Sequence, residues 1–98
     1  MTIPHEGEGW SVNLGAAPPG TLHLRALRSH VAESRLLAWL DALHAHGEPG
    51  GTIVHGRSGG ALRQVVREVL AADERVVEVL ARDESGRASA GAVSFRFG

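Results

Sequence analysis

The chain has 98 residues, a formal net charge of −1 and no cysteine. That length holds one domain around one core, and the missing thiols exclude a disulfide scaffold, cysteine catalysis and cysteine-ligated zinc or iron–sulfur sites. No apolar run approaches a membrane span, and the first residues lack a basic-then-apolar leader pattern, so a cytoplasmic location is expected.

In chain order, residues 1–20 are rich in Gly and Pro, include Pro18-Pro19-Gly20, and show no sustained periodicity. They read as a tail or linker ahead of a domain spanning residues 21–98. Residues 21–27 alternate Leu22, Leu24 and Ala26 with His23 and Arg25, the period of a half-buried strand. Ser29 is a candidate N-cap for a helix over 30–46, where Leu36, Leu40 and Leu43 recur at helical spacing beside Trp39. Gly47 and Pro49 stop that helix. Residues 52–55 form a short, central strand. Ser58 is a second N-cap candidate. The helix after it carries Leu62, Val65, Val66, Val69 and Leu70 on one face, with Arg63, Gln64, Arg67 and Glu68 on the other. Residues 76–81 read as a strand, 83–89 as a polar turn region, and 92–97 as a last strand alternating Val93, Phe95 and Phe97 with Ser94 and Arg96. The order β-α-β-α-β-β predicts an α/β two-layer sandwich: a mixed four-stranded sheet covered by two helices, its first connections right-handed crossovers and its last two strands a hairpin.

Charge is unevenly spread. Residues 1–20 hold two acids and no base, residues 21–70 six arginines against four acids, and residues 71–98 four arginines against five acids. The middle segment is the mildly basic one. All ten basic residues are arginine. This fits both the codon bias of a GC-rich genome and the suitability of arginine forks for phosphate.

The run Ile53-Val54-His55-Gly56-Arg57-Ser58-Gly59-Gly60-Ala61-Leu62-Arg63 carries most of the chemistry. It puts an imidazole and a glycine-rich turn at a strand-to-helix corner, where free backbone N–H groups favour an anion. Gly56, Gly59 and Gly60 allow close backbone approach. Arg57, Arg63 and Arg67 are placed to clamp a phosphate backbone. The alternative for the same spacing is an ordinary β-α turn with a solvated arginine face. The run is neither a P-loop nor a dinucleotide fingerprint. His23 and Arg25, two apart on a strand, share a face and would meet His55 at the sheet's C-terminal edge if the first two strands are neighbours. The alternative there is a polar, uncovered sheet face. His44 and His46 point apart on a helix, which with His30 makes a poor chelate. The scattered acids form no two-metal cluster.

These residues bear a family likeness. From Thr21 to Phe97 the chain resembles the Smr (small MutS-related) domain. Val54-His55-Gly56-Arg57-Ser58-Gly59-Gly60-Ala61-Leu62-Arg63 is similar to the family's His-Gly-x-Gly-x-Gly-x-Leu-Arg. Leu22-His23-Leu24-Arg25-Ala26 stands where the family has Leu-Asp-x-His/Arg-Gly, in the arginine form most like the C-terminal domain of the second bacterial MutS paralogue. Three positions depart from the pattern: His23 replaces the acid, Ala26 the glycine ending that motif, and Ser58 the second glycine of the turn. The resemblance implies nucleic-acid binding and, in many members, nicking of branched DNA or of RNA on stalled ribosomes, with roles in recombination control and DNA repair. It also implies a parent MutS-type ATPase chain as partner.

The expectation is therefore an endonuclease domain of little sequence specificity. His55 is its general acid/base, Arg25 a phosphate clamp, and His23 a substitute acid–base group at the acidic position. Gly56, Arg57, Ser58, Gly59, Gly60 and Arg63 form the anion cradle, and Arg28 and Arg67 extend the basic surface. No metal ligand is assigned, although a divalent ion is compatible with the chemistry. The competing expectation is a non-catalytic module that docks its parent on nucleic acid or the ribosome.

Overall fold

The computed structural model describes residues 17–57 and 60–98. Residues 1–16 of the expected tail, and Ser58 and Gly59, lie outside the described residues. Six elements follow in the expected order: β1 (Thr21–His23), α1 (Ser29–Ala45), β2 (Gly50–Val54), α2 (Ala61–Ala72), β3 (Val76–Leu80) and β4 (Ala92–Phe97). The sheet runs β1-β2-β4-β3. β1 and β2 are parallel, and β4 is antiparallel to both of its neighbours. The α/β two-layer sandwich is thus as expected, with β2 central. The second strand–helix–strand unit does not pair its own strands, because β4 lies between β2 and β3.

Register explains the core. Leu22 pairs with Ile53, and Ile53 with Val93, forming one buried row across three strands. Phe95 and Phe97 continue that face along β4, and their rings meet edge to face at 5.3 Å. Against them pack Leu36, Trp39, Leu40 and Leu43 of α1 and Val66, Val69 and Leu70 of α2. Trp39 is the largest of these. Its ring meets Phe95 edge to face at 5.6 Å, and its Nε1–H donates to the Pro19 carbonyl at 2.8 Å. Gly20 O accepts from Thr52 N at 2.9 Å, so the chain just before β1 is held to the domain.

Three local expectations are corrected. β1 ends at His23 instead of continuing to residue 27. Leu24 N still donates to Val54 O, but Leu27 N donates back to Leu24 O and closes a turn around Arg25 and Ala26. Ala26 sits at φ +64°, the third turn position that glycine normally fills. α1 begins at Ser29 itself, with Arg28 in the cap position and no side-chain cap bond. α2 is capped by Gly60, again without a side-chain bond, so a cap at residue 58 would fall two residues early.

The helices are tied to the hairpin by Arg75. Its guanidinium donates to both oxygens of Asp73, at 2.9 and 2.8 Å, and to Asp41 of α1 at 3.0 Å. It also lies 5.7 Å over the Phe97 ring. The paired guanidinium holds the Asp73 carboxyl below its ordinary value of 3.8.

Two predictions follow from this packing. Ala26→Gly relieves a left-handed residue and should raise stability by about 1 kcal/mol, read from urea denaturation. A carboxyl with a depressed folded-state value contributes stability above its unfolded value and loses it as pH falls through the folded one. The urea midpoint should therefore fall between about pH 5 and 2 more steeply for the native chain than for Asp73→Asn. Parallel curves would remove the Asp73–Arg75 pair from the acid response.

Candidate nucleic-acid interface

The site forms where β2 stops. His55 N and Gly56 N both donate to the Gly91 carbonyl, at 2.9 and 3.0 Å. This bifurcated acceptor turns the chain out of the sheet and toward α2. Gly56 takes φ +89°, and the Arg25 stem lies so close that a β-carbon there would stand 3.2 Å from its Cγ. A β-carbon on Gly91 would stand 3.1 Å from Arg57 Cγ and 3.3 Å from Gly56 C. The corner is therefore packed from both sides, with two arginine stems against two glycines.

His55 is 6 % exposed. Its Nδ1 lies 2.8 Å from the Gly56 carbonyl. A carbonyl only accepts, so Nδ1 carries the hydrogen of the neutral ring and Nε2 keeps the lone pair. Two clefts share this imidazole as a wall. The wider, of about 1010 Å³, is also lined by Arg25, Arg57, Gly60, Leu62, Asp83 and Glu84. The narrower, of about 240 Å³, runs under α2 with Arg63, Arg67, Val66, Val79 and Val93 in its walls.

The structure thus brings His55, Arg25, Gly56, Arg57 and Gly60 together at one cleft, and Arg63 and Arg67 at the other. His23 is exposed and pairs with Val54 on the sheet face away from the helices; it does not line either cleft. Arg28, exposed at the cap of α1, lines neither. His44 packs edge to face on Phe97 at 5.2 Å. Among the described residues no three of His, Asp and Glu are grouped to hold a metal. No described helix is long and apolar enough to cross a membrane.

Residues that sequence reasoning missed come from the segment between β3 and β4. Asp83 Oδ1 accepts from Ser85 N, Ser85 Oγ and Arg87 N, at 2.9, 2.6 and 3.1 Å. The Ser85 hydroxyl, aided by those amides, holds the Asp83 carboxyl below its ordinary value. This closed turn folds back because Ser94 Oγ donates to Arg82 O at 3.0 Å and accepts from Thr52 Oγ1 at 2.9 Å. Asp83, Glu84, Ser89 and Gly91 are thereby delivered to the cleft wall. The Asp-x-Ser-Gly pattern foretells a tight turn. Nothing local to it foretells which sheet face the arm crosses.

The comparisons with known proteins agree with this fold. Residues 22–96 match the family model of the Smr domain. The chain belongs to the Smr domain family. The structure superposes on the Smr domain of Thermus thermophilus MutS2 with a TM-score of 0.71 and 29 % identity, covering 82 % of this chain and 99 % of that one. A further relative, called endonuclease MutS2, from Solidesulfovibrio magneticus, is 49 % identical over 49 residues, which is 48 % of this chain. The match spans 6 % of that relative's length.

Arg63 tests the basic rim of this Smr domain. Arg63→Ala should weaken nucleic-acid binding alike for unrelated sequences, and the slope of log affinity against log salt should become shallower by about 1. An unchanged slope would remove Arg63 from the contact set.

Proposed function

We propose that this Smr domain is a nucleic-acid-binding nuclease that nicks phosphodiester bonds with little sequence specificity, and that His55 moves the proton. The observation that carries this reading is the bond from Nδ1–H to the Gly56 carbonyl, made beside a cleft flanked by Arg25 and Arg57. It fixes the tautomer and leaves Nε2 free to take and return a proton.

Arg25 and Arg57 fork the non-bridging oxygens and neutralise charge as it builds on phosphorus. The uncapped start of α2 adds backbone N–H groups and the positive end of a helix dipole. Water attacks phosphorus as Nε2 takes its proton. The opposite P–O bond breaks, the leaving oxygen takes a proton from solvent, and the imidazolium then returns its own to solvent. All these contacts are to the phosphate backbone, which is the same in every sequence, so low sequence specificity follows. The name of the Solidesulfovibrio relative supports the activity. The short span of that match supports a domain that works within a longer MutS-type chain. Its substrate on this reading is branched DNA or ribosomal RNA, in recombination control or repair.

A second reading, a docking module without cleavage, is favoured by residue 23, where a histidine stands at the family's acidic position and outside the cleft lining.

The test is nicking of supercoiled plasmid and of branched DNA, with and without divalent metal, by the native chain and by His55→Ala. Loss of about 100-fold or more in rate, with retained affinity, is the expected result. Equal nicking by the variant overturns the role of His55. No cleavage by either, with salt-sensitive binding kept, selects the docking module.

A further inference from the structure

The narrower cleft has a composition that the phosphate chemistry does not need. Val79 pairs in register with Phe95, so it points to the helix side of the sheet, yet it is 45 % exposed. Val66 of α2 is buried, whereas Val79 stays bare on the edge strand. The result is an apolar slot between Val66 of α2 and Val79 and Val93 of the sheet, with Arg63, Arg67 and His55 also in its lining. Arg63 and Arg67 stand four apart on α2, on one helix face.

We infer that this slot takes the base of one unpaired nucleotide, and that the domain thereby selects a phosphodiester next to an unpaired position. The inference rests on the nucleic-acid reading proposed above and deepens it. Three features support it. A base has apolar faces and a polar edge, and guanidinium planes stack on such faces while forking phosphate. The volume of about 240 Å³ has the scale of a single base and excludes a base pair. His55, Ser89 and Ala92 line both clefts, so a base seated in the slot sets its adjoining phosphate beside the residue that the proposed chemistry uses. A paired base has to leave its stack to enter, whereas one at a gap, flap or junction does not. The slot thus supplies structure selectivity without reading sequence.

The test uses oligonucleotides carrying 2-aminopurine at one position. The label is unpaired in a one-nucleotide gap in the first and paired in an otherwise identical duplex in the second. The native chain should bind the gapped form about tenfold more tightly, with a change in 2-aminopurine emission confined to it. Val79→Trp fills the slot and should bring the ratio of affinities to about one, whereas Val77→Trp, on the same strand outside the slot, should keep it. Thermal melting checks that each variant folds. Should Val79→Trp not fold, Val79→Asp sets a charge against the base instead. Equal affinity for the two oligonucleotides, or a preference that survives the Val79 variants, overturns the slot while leaving the nuclease reading in place. Binding to neither overturns both.

Discussion

One carbonyl holds the rest together. Gly91 O accepts from two successive amides, His55 and Gly56, and so ends β2, aims the imidazole and starts β4 in the same stroke. The register of β4 depends on it. With Val54 opposite Ala92, Val93 and Phe95 face the helices. A slip of a single residue would turn them to the open face. Core and corner therefore cannot be separated. The row Leu22–Ile53–Val93 and the pose of His55 are set by the same alignment of strands, and the absence of a β-carbon at residue 91 lets Arg57 and Gly56 close over it.

Much of this architecture was legible in periodicity. Alternation at 92–97 and the Leu36, Leu40, Leu43 spacing marked the elements, because each has one buried side and one wet side. The likeness at 54–63 marked the corner. Three features did not show. The turn at Arg25–Ala26 was hidden because alanine stands where the backbone wants glycine, so alternation seemed to run on to Leu27. The helix starts were misplaced because Ser29 suggested a cap by residue type, while Arg28 and Gly60 hold the cap positions without side-chain bonds. The contribution of Asp83, Glu84 and Gly91 was invisible because it depends on Ser94 pulling the arm across the sheet, a contact between residues distant in sequence.

Net charge hides how the surface is divided. Arg25 and Arg57 line the wide cleft and Arg63 and Arg67 the narrow one, both at the end of the sheet where β2 meets α2. Glu33, Glu68 and Glu74 line a groove between the two helices. A domain of net charge −1 can therefore carry a basic edge and an acidic back. Such a dipolar surface favours a polyanion at the corner over the groove between the helices. The two acids at the cleft do not undo this. Asp83 spends one carboxylate oxygen on its own turn, which leaves Glu84 as the cleft's less committed negative group.

The family departures separate geometry from proton chemistry. Ala26 keeps φ +64° although a β-carbon makes that costly, so the turn is retained despite the substitution. What the turn achieves is to lay the Arg25 stem against Gly56, and the clamp survives with it. His23 has no such constraint, for it projects from the open sheet face and lines neither cleft. A substitution there leaves the arginine frame untouched and changes only the supply of protons. On the proposed reading, the burden of proton transfer then falls on His55, an imidazole whose tautomer the backbone itself dictates. A group locked by its neighbour's carbonyl needs no carboxylate behind it to choose which nitrogen faces the phosphate. That arrangement explains how this corner can lose the family's acid at residue 23 and still keep the geometry for general acid–base work.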